Sequence, residues 1–325
     1  MRTSHSYSPT LTRGYTIAFI AAGILSTTAI FIHYLTQTYH VPALVLAFWR
    51  DLFVVGTLLP VLAVVGPERL HVERRHWPYF ALYGLVLALF NALWTLSVAL
   101  NGAAVSTVLV YSSAAFTVLL GWWLLKESLG WVKVMAVVLS LTGCALVSGV
   151  YDVSAWNTNW LGILCGVLAG LAYAGYSLMG RSASQRGLSP WTTLLYTFAF
   201  AAVYLLLMNL IPGGILPGAA AQPSDLMWLK DAWAGWLVLF VLAAVPTVLG
   251  YGLYNVSLKH LPSSIANLIA TSEPVFTAIT AYFVLNERLN LLQIGGGLLV
   301  LGGVVFLRLF EGHTRNRQEV IGDSI

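Results

Sequence analysis

Charge is what this 325-residue sequence has least of: Asp, Glu, Lys and Arg together make up 9% of it. A soluble domain carries about a quarter. With 58% hydrophobic residues and a mean hydropathy of +0.81, a soluble globular domain is excluded. The chain reads as an all-α polytopic membrane protein. Cysteine is almost absent. Cys144 and Cys165 both sit in apolar runs, where they read as small buried hydrophobes and make no disulfide or metal-binding pattern. No P-loop, dinucleotide fingerprint or Cys/His spacing appears, so no cofactor and no metal is expected, and any energy must come from gradients. The net charge of +4 is spread thinly and does not point to nucleic acid. A cleavable signal peptide is not expected, because the first apolar run is too long for one. An enzyme is not expected either. Ser177, in "GYSLMG", lies between glycines, but His33 is the one membrane-embedded histidine and sits at a helix end.

Long apolar runs are what the sequence does have. Runs able to cross about 30 Å of hydrocarbon lie at 14–35, 43–65, 77–99, 103–125, 130–149, 160–181, 190–211, 235–258, 263–285 and 291–310. The expected fold is therefore ten transmembrane helices. Lys and Arg concentrate on one side, in segments such as "ERRHW" (73–77), Lys126, Lys133, Arg181 and Lys259. The other side holds Lys230 and Arg288. The positive-inside rule then puts both termini in the cytoplasm of a cell having this protein in its inner membrane. Residues 1–13 and 311–325 read as cytoplasmic tails and 150–159 as a linker. The Pro- and Gly-rich stretch 212–234 reads as an external loop, with an interfacial helix over "MWLKDAW" carrying Trp228 and Trp233. Arg50 is left inside the second span.

The chain also repeats itself. Residues 93–147 align with 253–307 without a gap, at an offset of 160; Ser112 meets Ser272, Thr117 meets Thr277 and Glu127 meets Glu287. Segments 14–149 and 160–310 are thus two five-helix repeats. An odd number of helices per repeat makes the two inverted in the membrane, a mark of alternating-access transporters.

The paired signatures "FTVLLGWWLLKESL" (116–129) and "EPVFTAITAYFVLNERL" (273–289) resemble the ends of EamA-type repeats of the drug/metabolite transporter superfamily. "FWR" (48–50) is similar to that family's basic position on its second helix. The resemblance covers about 14–310 and implies ten helices in an inverted repeat and transport of small organic metabolites. It says little about the substrate. The first repeat has "YSSAAF" where many members carry a proline like Pro274, so the fourth span is expected to bend less than the ninth.

Glu273 is the leading candidate for a binding site. It sits about eleven residues from either end of its span, near the bilayer midplane, where a charge costs at least ~2.5–3.5 kcal/mol. Thr277, Thr280 and Ala266 share its stripe. Pro274 should free a carbonyl near Ala270 and supply a gating bend. Ser113 is the aligned position in the fourth span, with Tyr111 nearby. Asn91 and Trp94 in the third span and Tyr251 and Tyr254 in the eighth read as two walls of one cavity. Tyr173 extends toward that cavity or toward a neighbouring helix, and Asn267 makes an interhelical hydrogen bond or binds substrate. Arg50 can snorkel, pair with a carboxylate or bind an anionic group. Gly162, Gly166 and Gly170 give small-residue packing, with Gly170 as a sliding contact in gating.

The expected partners are a small-molecule substrate and the lipid bilayer, with protons as a candidate coupling ion. A mid-depth carboxylate between aromatic walls suits a solute with a cationic amino group, and the resemblance favours export of amino acids or related metabolites. The alternatives are choline or another quaternary ammonium and an uncoupled, channel-like facilitator.

Overall fold

Proline, serine and asparagine punctuate the apolar runs and mark where several of the helices begin. The structure is a computed structural model that describes residues 9–147, 150, 159–211, 215–285 and 290–322. Most of the expected linker, residues 1–8 of the first tail, residues 212–214, the expected repeat mate Glu287, Arg288 and residues 323–325 lie outside the described residues.

The helices are α1 (Pro9–Leu25), α2 (Thr28–Thr38), α3 (Ala43–Val65), α4 (Trp77–Val110), α5 (Ser113–Leu125), α6 (Trp131–Val147) and α7 (Trp160–Gln185). They continue with α8 (Pro190–Asn209), α9 (Trp233–Leu242), a π-helical turn over Ala243–Tyr251, α10 (Gly252–His260), α11 (Ser263–Ala270), α12 (Glu273–Leu285) and α13 (Leu291–Gly322). No strand occurs among the described residues. The Asn159 side chain caps α7 by accepting the Leu161 amide at 3.1 Å. Pro190 occupies the first position of α8, where its missing N–H costs nothing. The π-helical turn has a local cause. Pro246 removes one ladder donor and crowds the Leu242 carbonyl, which the Thr247 hydroxyl takes up at 2.8 Å.

Among the described residues, seven segments are long and apolar enough to cross a membrane: Leu11–Thr38, Ala43–Val65, Arg74–Asn101, Val105–Leu125, Trp160–Gln185, Pro190–Asn209 and Trp233–His260. Trp131–Val147 and Leu291–Leu307 are shorter apolar helices. The helix α4 is not straight. Ser97 Oγ donates to Ser106 Oγ at 2.9 Å, whereas nine residues of straight helix would separate the pair by about 13 Å. The chain therefore folds back near residues 101–105, and α4 supplies two arms.

Three expectations are corrected. The ninth span is not one helix but two, α11 and α12, parted at Thr271–Ser272. The fourth span is broken at the equivalent place, Tyr111–Ser112, although it lacks the proline. Residues 227–233 do not form an interfacial α-helix. A 3₁₀ turn at Pro223–Met227 precedes α9, and the Trp228 indole instead donates to the Tyr39 carbonyl at 3.0 Å. The last helix runs on to Gly322.

Small residues let the backbones approach. A methyl group on Gly162, Gly166 or Gly170 would come within 2.5 Å of Asn101 Nδ2, 2.7 Å of Leu109 Cβ or 2.5 Å of Ser112 Oγ, so α7 lies tight against both arms of α4. The helices α6 and α13 meet in the same way. A methyl on Gly143 would touch the Gly296 carbonyl and Val300, and one on Gly303 would touch the Ala136 carbonyl and Ser140. Adding 160 to 136 and 140 gives 296 and 300, so the two contacts are one contact seen from both repeats. As the number falls along α6 it rises along α13, so the two helices run antiparallel.

Candidate functional site

Three helix interruptions converge on the middle of the bundle, and each is built by hydroxyl side chains. At the α1/α2 break, Ser26 and Thr27 donate to the carbonyls three residues back, at 2.7 and 2.9 Å. At the α4/α5 break, Ser112 donates to the Leu109 carbonyl at 2.6 Å. At the α11/α12 break, Thr271 and Ser272 do the same at 2.6 and 2.7 Å. A hydroxyl that takes an i−3 carbonyl competes with the helical amide and loosens the ladder. Irregular backbone at this depth persists where it is buried or lines a cavity.

A cavity of about 50 Å³ does lie there. Leu25, Ser26, Thr28 and Ala29 line it from the α1/α2 break, and Thr107, Val110 and Tyr111 from α4. Phe90 and Trp94 contribute from the other arm, Tyr173 from α7, Tyr251 from the π-helical turn, and Glu273 and Thr277 from α12. The Tyr111 hydroxyl faces the Glu273 carboxylate. Thr277 Oγ1 donates to the carbonyls of Ser26 at 3.0 Å and Glu273 at 3.1 Å, binding the first break to the third. Phe90 stacks on Tyr173 with ring centroids 5.0 Å apart, forming an aromatic wall. Among the described residues no Lys or Arg pairs with Glu273.

Of the residues expected from the sequence, Glu273, Trp94, Tyr111, Tyr173 and Tyr251 line this cavity. The others do not, and each has a specific neighbour instead. Ser113 donates to Asn267 Oδ1 at 3.0 Å, and Asn267 Nδ2 donates to Ser177 Oγ at 3.1 Å. Ser177 Oγ lies 2.7 Å from the Tyr254 hydroxyl. Ser113, Asn267 and Tyr254 thus form a buried network beside the cavity, with Tyr176 donating to Asn255 Oδ1 at 3.2 Å. Thr117 and Ser106 are turned to their own or neighbouring helices. Pro274 occupies the second position of α12, where it needs no amide partner, and Gly170 packs on Ser112. Arg50 does not snorkel. It is buried, and its Nε donates to Asp51 Oδ1 at 3.3 Å. Asn91 Nδ2 holds the other Asp51 oxygen at 2.7 Å.

Sequence reading missed Asp51. The signal was present in "WRD": a second ionisable residue beside Arg50 in one apolar run. It also missed the use made of Glu127. That carboxylate accepts from the Ser263 amide at 3.0 Å, from Ser263 Oγ at 2.6 Å and from Ser264 Oγ at 2.5 Å. The residue before α11 is Pro262, which has no side chain able to cap it, so Glu127 caps α11 from the end of α5. Lys133 Nζ adds a bond to Ser264 Oγ at 3.2 Å. Along α11 the order is the Glu127 cap at Ser263, the buried network at Asn267, then the break and the cavity at Glu273.

Comparison with known proteins agrees with this architecture. The model of a family described as EamA-like transporters matches residues 12–149 and again 160–309. A protein of Salmonella typhimurium named "Probable amino-acid metabolite efflux pump" is 23% identical over 288 residues, 87% of this chain and 91% of its own. An Archaeoglobus fulgidus protein named "Uncharacterized transporter" is 26% identical over 225 residues, 68% of this chain and 74% of its own. A solved structure titled "Crystal structure of protein" superposes with a TM-score of 0.72 over 92% of this chain and 97% of that one, at 16% identity, and so shares the fold.

Proposed function

The chain belongs to the EamA-like transporter family, and on that premise we propose that it is a secondary transporter of amino acids or related small metabolites, working by alternating access. The observation that carries this is Glu273. A carboxylate without a cationic partner stands at a helix break, on the wall of a mid-bundle cavity. A solute's ammonium group, or a proton, would neutralise it there. The name of the Salmonella relative leans toward amino acids.

Ten crossings in two inverted repeats fit the packing. Antiparallel α6 and α13, meeting through contacts that exchange under the offset of 160, are what a two-fold axis perpendicular to both helices produces. For helices that cross a bilayer, that axis lies in the membrane plane. With both termini cytoplasmic by the Lys/Arg distribution, the Glu127 cap lies on the cytoplasmic side. The cavity is then closed inward by the cap and the Asn267 network. The cavity is small, about 50 Å³, and passage of a solute requires the halves to separate. A quaternary ammonium solute is the second reading, favoured by Phe90, Trp94, Tyr111, Tyr173 and Tyr251 around one carboxylate. The small volume of the cavity gives no support to an open channel.

The test is uptake and exchange by the purified protein in proteoliposomes, over a panel of amino acids, amines and choline, with and without a pH gradient. Glu273→Gln keeps the side chain's shape and removes its charge. It is expected to insert normally and to lose at least about tenfold in exchange of its substrate, together with any pH dependence. A variant matching the parent at every pH would remove Glu273 from the mechanism.

A further inference from the structure

The cavity wall carries further polar groups besides Glu273. Thr28 opens α2, an eleven-residue helix, and lines the cavity while only 5% exposed. Its hydroxyl has no hydrogen-bond partner among the described residues. The helical Thr95 and Thr277 instead return theirs to a carbonyl of their own helix. Trp94 lines the same cavity, and its indole N–H is likewise buried and unpartnered. Trp49, Trp228 and Trp236 all donate theirs to carbonyls. An indole N–H can only donate, and the start of a helix carries partial positive charge. Unpartnered Thr193 and Thr197, by contrast, lie on α8, away from the cavity.

Two unmet donors and a positive helix end therefore share one cavity with an unpaired carboxylate. We infer that Thr28 and Trp94 together receive the carboxylate of an α-amino acid whose ammonium faces Glu273. The ligand class is a zwitterion. Leu25, Phe90 and Val110, which line the same cavity, favour an apolar side chain. This inference rests on the reading of the cavity as a solute site.

The experiment measures competition against radiolabelled L-leucine in proteoliposome exchange, using L-leucine, 3-methylbutylamine, which lacks the carboxylate, and 4-methylpentanoate, which lacks the ammonium. The parent protein should prefer leucine to either analogue by at least about tenfold, the size of one lost hydrogen bond to a charged group. Thr28→Val and Trp94→Phe should each weaken leucine by a similar factor and leave 3-methylbutylamine unchanged. Thr28→Ser, which keeps the hydroxyl, should behave as the parent. The inference is overturned if 3-methylbutylamine competes as well as leucine in the parent protein, or if both variants weaken the two ligands equally. If the protein exchanges other solutes but no amino acid, the transporter reading stands and this one falls. If it exchanges nothing, both fall.

Discussion

Tyr111–Ser112 in the first repeat and Thr271–Ser272 in the second interrupt their helices at equivalent positions, and the segments that follow, Ser113–Leu125 and Glu273–Leu285, match in length. Only the second has a proline. The break therefore does not need Pro274. Ser112 and Ser272, each bonded to a carbonyl three residues back, are the common cause. What differs is the next residue. Ser113 is spent on Asn267, whereas Glu273 opens onto the cavity. The same backbone device is followed by a bonded serine in one repeat and by a cavity-lining carboxylate in the other.

Exchanging the two residues is the strongest way to break that comparison. The double variant Ser113→Glu/Glu273→Ser should be inactive in exchange. It should also lose several kcal/mol of stability in detergent melting, because a carboxylate at 113 would displace a fully buried hydrogen bond without a cation to meet it, a cost of about 3–5 kcal/mol by analogy with a broken buried ion pair. A double variant that transports would make the two breaks interchangeable.

The buried Asp51 sharpens the contrast with Glu273 from another side. It is held by Arg50 and Asn91, so Asp51→Asn leaves Arg50 uncompensated and should cost about 3–5 kcal/mol. Arg50→Met/Asp51→Leu, which removes both charges, should recover most of the melting temperature. Glu273→Gln should melt close to the parent. If Asp51→Asn is harmless while Glu273→Gln melts early, the roles given to the two carboxylates are reversed.

A smaller effect is expected at the cap. Glu127→Ala should cost about 0.5–2 kcal/mol, the usual loss for a helix cap. It should also raise labelling of a cysteine at Asn267 by a thiol reagent applied from the cytoplasmic side, in a background without Cys144 and Cys165. Unchanged labelling would show that the cap does not hold the inner side shut. Smallest of all should be Pro274→Ala. With the break supplied by Ser272, melting should shift by less than the equivalent of about 1 kcal/mol, and Ser272→Ala should cost more, near 1 kcal/mol for its hydrogen bond. The reverse order would return the break to the proline.

Much of the site was legible because burying charge and interrupting a helix in lipid are both expensive. Glu273 stood out in an apolar run for that reason, and Trp94 and Tyr251 were read from equivalent places in the two repeats, with Tyr111 and Tyr173 as neighbours of other candidates. Asn267, read as an interhelical hydrogen bond or a substrate contact, makes the hydrogen bond, and Tyr254, read as a wall residue, lies in the same buried network. Spacing tells which face of a helix a side chain occupies, and not whether the neighbour across that face is a cavity or another side chain.

The apolar runs, the repeat at an offset of 160 and the membrane class were determined by sequence alone, since hydropathy and internal similarity are properties of the chain in order. The fold-back in α4, the capping of α11 by Glu127 from 136 residues away and the pairing of Arg50 with its own neighbour were decided only in the tertiary structure. Each depends on which groups are brought within about 3 Å of one another, and hydrogen bonds form or fail on that distance.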